Sequence, residues 1–200
     1  MNEPAVRLEE QIISLFSDRE TFLCQGWILK RGERYLSVYP LYYRPAEQDI
    51  PEKIERCEEI AGQCGLDCVF RIAERTNYYL SALLSDNGYT IKRCGMVAEW
   101  NLPGNPDRAP KEVKTAECPV MENDRYVGIR KREVLFLQGE EFRNGPAPAD
   151  ILRFSRKNGV ARIVADLPAE DGIAEEYELA GFRRVYNYCI YGKSAARPES

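Results

Sequence analysis

The sequence predicts an α+β fold made of two similar units, each with a mixed, mostly antiparallel sheet covered by helices. Apolar residues make up 44% of the 200 residues, which is enough for a core and argues against a disordered chain. Segments with helical spacing alternate with short apolar runs typical of strands. The same order of segments occurs twice, on either side of a proline-rich stretch, and this repetition predicts two units.

In the first copy, apolar positions at helical spacing predict an amphipathic N-terminal helix that packs on this copy, with Leu8, Ile12, Leu15 and Phe16 on its apolar face. A second helix with Pro51 in its first turn is indicated by the same spacing at Ile54, Cys57, Ile60, Ala61 and Cys64. The other predicted elements are a hairpin over Gly26–Tyr43, a strand over 68–72, a helix around Leu80–Leu84 and a strand over Thr90–Trp100.

The second copy repeats this order at nearly the same spacing. Its predicted elements are a hairpin over Tyr126–Leu137, a helix from about Ala149 to Lys157, a strand over 162–167, a helix over 173–179 and a strand over 183–191. Gly65 and Gly88 are 23 residues apart, and Gly159 and Gly181 are 22 apart. Each glycine fits the position after a helix. Chance similarity of short βα units is the alternative, but the matching glycines favour a duplication.

The clearest break between the copies is Asn101–Pro119, which holds four prolines and one glycine. This composition is typical of a linker. We therefore predict a first half over 1–101, a linker over 102–119, a second half over 120–193 and a disordered tail over 194–200.

The sequence contains no histidine, and this excludes several kinds of catalytic site. Ser-His-Asp and Cys-His sites, HExxH zinc sites and zinc deaminase sites all require that residue. Any chemistry must therefore use Glu, Asp, Tyr, Lys, Arg, Cys or backbone amides.

The charge pattern argues against nucleic acid and membrane partners. Lys and Arg number 28 against 32 Asp and Glu, which gives a net charge of −4. Residues 1–100 carry 12 basic and 16 acidic groups, and residues 101–200 carry 16 of each, so no basic face is expected. No apolar run approaches the ~18 residues that a membrane-spanning helix needs.

The N-terminal sequence and the cysteines predict a cytoplasmic protein. The first ten residues, MNEPAVRLEE, do not combine a basic segment with an apolar one as a secretory signal does. The seven cysteines are odd in number and none has CxxC spacing. In a reducing compartment we expect most of them as small core residues. The alternative is a metal or redox cluster of Cys57, Cys64 and Cys68, whereas our main prediction contains no metal site.

The second copy resembles the GNAT superfamily of acetyl-CoA-dependent acyltransferases. The segment from Asp171 through Ala174 and Tyr177 to Gly181-Phe182 is similar to that family's late motif, with Asp171 at its Asn position and Glu176 at its Leu position. The tyrosine-rich final strand is also similar. The first half resembles the leading half of a two-part GNAT subgroup through Gly26-Trp27-Ile28-Leu29, Ser37–Leu41, Lys53-Ile54, Cys57-Glu58 and Val69–Ile72.

This resemblance implies an N-acetyltransferase that moves an acyl group from acetyl-CoA to a small-molecule amine or peptide. A thioester is already activated, so such an enzyme works without histidine by aligning the amine and stabilising the oxyanion. Tyr177 is then the candidate general acid for the departing thiolate. Glu133, Glu140 and Glu141 are the candidate bases, because they flank the predicted strand Val134–Leu137. Packing of Tyr177 in the core and solvation of the three acids are the structural alternatives.

The cofactor loop is where the sequence departs from the family. The resemblance implies that acetyl-CoA contacts Leu137, Gln138, Arg143, Asn144, Gly145, Ala147, Asp171 and Ala174. Pro146 and Pro148 stand where the family has two small residues, and proline has no N–H for a phosphate. Asp150 adds negative charge nearby. The corresponding first-half loop over 44–49 contains acids that would repel a pyrophosphate, so we predict no cofactor there. The alternative function is a non-catalytic GNAT-fold protein that binds a small metabolite or a protein.

Overall fold

The computed structural model describes residues 3–15, 20–41, 49–73, 78–102, 118–122, 125–131, 134–137, 147–169 and 172–193. Within these ranges the helices are α1 (Glu3–Leu15), α2 (Ile50–Gln63), α3 (Tyr78–Asp86), α4 (Pro148–Lys157) and α5 (Ile173–Leu179). The strands are β1 (Thr21–Cys24), β2 (Trp27–Arg31), β3 (Tyr35–Tyr39), β4 (Asp67–Ala73), β5 (Thr90–Asn101), β6 (Cys118–Glu122), β7 (Arg125–Lys131), β8 (Val134–Leu137), β9 (Arg162–Pro168) and β10 (Arg183–Gly192). None of the described helices is both long and apolar enough to cross a membrane.

The chain forms two compact units, of which the first comprises Met1–Cys94 with Tyr188–Ser200 and the second comprises Gly95–Asn187. The chain therefore leaves the first unit within β5 and returns to it within β10. These units are groups of residues in contact, whereas the predicted halves are copies in sequence. The boundaries of the predicted halves and linker stay a prediction, and β6 takes in Cys118 and Pro119 at the end of that linker.

The sheet of the first unit has the strand order β1-β2-β3-β4-β10. Strands β3 and β4 are parallel, and the other neighbours are antiparallel. The predicted hairpin over Gly26–Tyr43 is the pair β2 and β3. Strand β1 was not predicted, because its four residues are too short to show a periodic pattern.

Helices α2 and α3 cover one face of this sheet and form the core of the first unit. The buried core residues are Trp27, Leu29, Leu36, Val38, Ile50, Ile54, Cys57, Ala61, Phe70, Ile72, Leu80, Leu84, Tyr89, Cys189 and Tyr191. Helix α2 contributes its side chains at three- and four-residue spacing, as the sequence predicts.

Helix α1 packs on the other face of the same sheet. Successive side chains of a strand point to opposite faces, so Arg71 of β4 points away from the core that contains Phe70 and Ile72. Its guanidinium meets Glu9 of α1, with Nε 2.7 Å from Oε1, and Lys30 Nζ of β2 donates to the Ile13 carbonyl at 3.1 Å. The predicted packing of this helix on the first copy is confirmed through Leu8 and Ile12, which are buried. The side chains of Leu15 and Phe16 lie outside the described residues.

The sheet of the second unit has the order β5-β9-β8-β7-β6. Strands β8 and β9 are parallel, and the other neighbours are antiparallel. Helices α4 and α5 cover one face, and the buried core there is Met96, Ala98, Trp100, Leu135, Leu137, Ile151, Val160, Ile163, Ala165, Leu167, Ala174, Tyr177 and Phe182. The predicted class, an α+β fold with a mixed and mostly antiparallel sheet, is confirmed.

The same order of elements, three antiparallel strands followed by helix, parallel strand, helix and strand, occurs in both halves of the chain. The second helix of each set ends alike, at Gly88 with φ +80° and at Gly181 with φ +95°. A residue with a side chain is strained at such angles, which explains both glycines.

Two of the seven cysteines form a disulfide that was not predicted from the sequence. Cys94 of β5 and Cys189 of β10 form a disulfide, with Cα atoms 4.1 Å apart. Local sequence patterns could not predict this pairing, because the two residues are 95 positions apart. Cys24, Cys57, Cys64 and Cys68 are free thiols.

Candidate functional site

The parallel pair β8 and β9 forms the centre of the candidate site in the second unit. Their register runs from Val134 opposite Arg162 to Leu137 opposite Ala165. Strand β9 continues through Asp166 to Pro168, and those residues pair with β5 on its other side. The described part of β8 ends at Leu137, opposite Ala165 of β9.

Helix α4 lies between β8 and β9 in sequence and is the helical connection of this parallel pair. Ala147 precedes the helix with φ −60° and ψ 148°, and Pro148 occupies the first turn. The amides of Asp150 and Ile151 both donate to the Ala147 carbonyl, at 2.9 and 3.2 Å. Because proline has no N–H, Ala149 is the one residue among 148–150 whose amide can still turn toward an anion.

The carboxylate of Asp150 is neutralised on the same helix. Arg153 NH1 lies 3.2 Å from Asp150 Oδ1, and both side chains are well exposed. An exposed pair of this kind contributes little to stability. Its effect on the start of α4 is to offset the negative charge that the sequence places there.

Tyr177 lies inside the core of the second unit, on α5. Only 1% of its surface is exposed, and its ring packs edge-on against Phe182 with the centroids 4.9 Å apart. Burial, with a smaller contribution from Glu176, raises the pKa of the phenol above its ordinary value. The phenol therefore stays protonated across the range in which proteins are active.

Three of the residues predicted from the sequence meet in this core. Leu137 at the end of β8, Ala174 and Tyr177 are all buried within the same apolar cluster. Ala147 is exposed at the start of α4 and lies outside that cluster. The parallel strand pair, the helix that connects its strands and the helix that carries the tyrosine therefore belong to one unit.

Solved structures resemble this chain over nearly its whole length. A GCN5-related N-acetyltransferase from Kribbella flavida matches with a TM-score of 0.59 at 14% identity, over 98% of each chain. A GCN5-related N-acetyltransferase from Sphaerobacter thermophilus matches with a TM-score of 0.57 at 13% identity, over 92% of this chain and 84% of that one. The chain has the GNAT fold. No protein-family model and no curated protein matches the sequence, and identities this low show the fold alone.

Several residues predicted for the GNAT site lie outside the described part of the chain. They are the candidate bases Glu133, Glu140 and Glu141 and the cofactor candidates Gln138, Arg143, Asn144, Gly145 and Asp171. Their roles stay predictions. Within the GNAT fold, the described site therefore consists of β8, β9, the start of α4 and the buried tyrosine of α5.

A buried carboxylate of the second sheet, bound by two arginines, was not predicted from the sequence. Glu99 of β5 is 7% exposed, and Arg162 binds its Oε2 with NH2 at 2.7 Å while Arg183 binds Oε1. Burial alone would raise the pKa of Glu99, but hydrogen bonds and charge from Arg183 and Arg162 outweigh it and hold that pKa below its ordinary value. A single acid within the apolar run Met96–Trp100 was the signal that predicts such a pairing.

Two further buried polar residues of the second unit were also missed. Asp166 of β9 is 7% exposed, and it points to the face opposite Tyr177 because Ala165 and Leu167 face the core. Ser155 of α4 is fully buried, and its hydroxyl has no hydrogen-bond partner. Both interrupt apolar patterns in the sequence, Asp166 in a strand and Ser155 on the inner face of a helix.

Two free thiols of the first unit, Cys57 and Cys68, have raised pKa values. Burial, with smaller effects from Cys68 and Cys24, raises the pKa of the Cys57 thiol far above its ordinary value. Burial likewise raises the pKa of Cys68 to about 12. A thiol that stays protonated is a poor nucleophile and a poor metal ligand. Among the described residues, no three Cys, Asp or Glu side chains are grouped closely enough to hold a metal ion.

Proposed function

We propose that this protein is an N-acyltransferase that transfers an acetyl group from acetyl-CoA to an amine. The observation that carries the proposal is the GNAT fold itself, matched over 98% of both chains by an N-acetyltransferase. The second unit is the proposed site, because its parallel strands β8 and β9 are connected by α4 and followed by α5, which carries the tyrosine that the motif predicts. The acceptor is a small-molecule amine or the amino group of a peptide, and the net charge of −4 gives weak attraction for cations.

The start of α4 supports cofactor binding with fewer donors than the family pattern offers. Ala149 can supply one amide to a pyrophosphate, and the pairing of Asp150 with Arg153 removes much of the repulsion that the sequence suggests. Leu137 and Ala174 lie in the same buried apolar cluster as the phenol. Acetyl-CoA would bring an acyl thioester that is already activated, so these residues need mainly to hold it and to align the amine.

The buried position of Tyr177 refines its proposed role. A phenol whose pKa lies above its ordinary value of about 10 is a weaker acid than a thiol of pKa about 8.5. Complete proton transfer to a thiolate is therefore uphill. We assign Tyr177 the role of a hydrogen-bond donor that stabilises developing negative charge on sulfur, with the final proton coming from water.

A second candidate function is a non-catalytic GNAT-fold protein that binds a metabolite or a protein. Two observations favour it: Tyr177 is closed to solvent at 1% exposure, and Pro148 removes an amide from the first turn of α4. In that case the phenol is a packing residue that belongs to the core.

Binding and transfer separate the two functions. The protein is titrated with acetyl-CoA and with CoA, with ATP as a polyphosphate control, while its melting temperature is followed. A ligand at about 100 times its Kd stabilises by about 2.7 kcal/mol, which raises Tm by about 5–10 °C for a chain of this size. Acetyl transfer to a panel of primary amines is measured by chromatography of released CoA, because protein thiols react with thiol reagents.

One pair of variants tests the proposed cofactor contact. Ala149→Pro removes the amide at a helix position where proline is tolerated, and it is expected to weaken CoA binding about tenfold, as loss of one charge-assisted hydrogen bond of about 1.5 kcal/mol would. Ala149→Gly keeps that amide and is the matched control. Equal affinities for the two variants contradict this contact.

Binding of acetyl-CoA to the wild-type protein without transfer to any amine favours the non-catalytic function. Absence of both binding and transfer excludes the acyltransferase.

A further inference from the structure

We propose that Cys94 and Cys189 form a reversible thiol–disulfide site, which a small-molecule thiol such as glutathione opens and an oxidised thiol closes. The bridge joins the first residues of β5 to β10 inside the first unit. This thiol–disulfide site is independent of the proposed acyl transfer.

The bridge lies where the chain passes between its two units. Cys94 is the last residue of the first segment of the first unit, and Cys189 is the second residue of the segment that returns to it. The residues between them, 95–188, include the whole second unit. A crosslink that closes a loop of this length restricts the unfolded chain strongly, so the closed form is expected to be the more stable one.

The two sulfur atoms differ in access, and this difference sets the chemistry. Cys94 is half-buried, whereas Cys189 is 6% exposed and belongs to the apolar core. Cys94 packs against the same core but keeps part of its surface exposed, so we expect a thiolate from solution to attack its Sγ. The attack forms a mixed disulfide and expels the Cys189 thiolate, which takes up a proton. A second thiol then attacks the mixed disulfide, so that two protein thiols and one oxidised small-molecule disulfide result.

The free thiols of Cys57 and Cys68 are not expected to attack the bridge. The high pKa values of Cys57 and Cys68 keep both residues protonated, and a protonated thiol does not attack a disulfide. Cys24 and Cys64 also lie in this unit as free thiols, and the bridged pair among the described cysteines is Cys94 and Cys189.

The open form keeps β10 in place through weaker contacts. Strand β10 still pairs with β4 from Tyr188 opposite Ala73 to Gly192 opposite Val69. Lys193 also remains 2.6 Å from Glu58. Without the covalent link, residues 188–192 are held by non-covalent contacts: backbone pairing, side-chain burial and side-chain contacts such as that of Arg71 with the Tyr188 ring. We therefore expect reduction to increase local opening of this segment before the rest of the first unit opens.

The test compares oxidised and reduced wild-type protein. Peptide mapping without reductant should find the 94–189 crosslinked peptide, and equilibration in glutathione mixtures should convert the native protein in both directions. Oxidised protein should melt about 4–16 °C above reduced protein, the range given by a disulfide of this kind in a chain of this size. Amide hydrogens of residues 188–192 should exchange faster in the reduced form.

Variants assign the effect to this pair. Cys94→Ser should melt at one temperature under both conditions, and Cys64→Ser, which removes a thiol that is not bridged, should respond as the wild type does. The proposal is overturned by absence of the crosslinked peptide, by a bridge that glutathione cannot open in the folded protein, or by equal melting and equal exchange in the two wild-type forms. The wild-type comparison decides the matter even where Cys94→Ser fails to fold.

Discussion

Helix α3 of the first unit and helix α5 of the second end with the same backbone hydrogen bond, but different side chains are buried at that point. At the end of α3 the Tyr89 amide donates to the Leu84 carbonyl at 2.9 Å, and at the end of α5 the Phe182 amide donates to the Tyr177 carbonyl at 3.0 Å. Leu84 and Tyr177 are thus equivalent positions, buried at 0% and 1% exposure. The first unit needs only an apolar side chain at this point, whereas the second carries a hydroxyl.

Helices α2 and α4, which follow β3 and β8, also end with matching backbone hydrogen bonds. The Leu66 amide donates to Ala61, and the Val160 amide donates to Ser155, both at 2.9 Å. Ala61 and Ser155 are equivalent and buried, and again the hydroxyl is in the second unit. One backbone scaffold therefore serves both units, and at two of its buried positions, Tyr177 and Ser155, the second unit carries a hydroxyl where the first has an apolar side chain. Buried polar groups cost stability, so their presence favours a role beyond packing.

The two sheets also neutralise their buried acids differently. In the first unit, the side chains of Glu9 and Arg71 are 3% and 8% exposed, and the Arg71 guanidinium stacks on the Tyr188 ring at 3.5 Å. In the second unit, Glu99 is held by Arg162 and Arg183, whose side chains are 34% and 77% exposed. A buried pair depends on both partners, since either charge alone is costly in the interior.

The largest effect is expected from breaking the buried pair of the first unit. Glu9→Gln leaves the Arg71 charge without its partner and should lower the free energy of unfolding by about 3–5 kcal/mol. The measurement is urea unfolding followed by fluorescence in a Trp100→Phe background, because the remaining Trp27 reports on the first unit. Glu20→Gln, which removes the exposed partner of Arg31, is the control and should change stability by at most about 1 kcal/mol. A similar midpoint for both variants would mean that the pair is not a determinant of stability.

The next effect concerns the tyrosine that replaces leucine in the second unit. Tyr177→Phe keeps the ring against Phe182 and removes only the hydroxyl, so acetyl transfer should fall about 100-fold while stability changes by about 1 kcal/mol or less. Steady-state rates and thermal melting are measured on the same preparations. Tyr186→Phe, at another buried tyrosine of this unit, is the control. If the two variants retain equal activity, Tyr177 is a packing residue as Leu84 is.

The smallest effect concerns the buried hydroxyl that has no hydrogen-bond partner. Ser155→Ala should raise the free energy of unfolding by about 1–2 kcal/mol, because it removes a polar group that gains nothing in the core. The reverse change in the first unit, Ala61→Ser, should lower it by about 1–3 kcal/mol. Urea midpoints at unchanged slope provide the measurement. A loss of stability in Ser155→Ala would show that this hydroxyl binds a partner such as a buried water.

Much of the fold could be predicted from local patterns, and less of the site. Helix α2 and strands β4 and β9 were predicted because spacing and terminal glycines are recorded within each segment. The pairing of Glu99 with Arg162 and Arg183 could not be predicted in the same way, since it depends on which strands become neighbours. The Cys94–Cys189 bridge could not be predicted for the same reason. The packing of Leu137, Ala174 and Tyr177 could be foreseen only through the family resemblance, because their shared core is formed by distant segments.

The order in which the chain is made gives the path of β10 a kinetic meaning. The first unit leads the sequence, yet the strand that lies beside β4 in its sheet is supplied by residues 188–192. A ribosome releases those residues only after it has made all of the second unit. One edge of β4 therefore stays unpaired by β10 during synthesis. An open strand edge is a site of mispairing, and the unit that is translated first is therefore the one that is finished last.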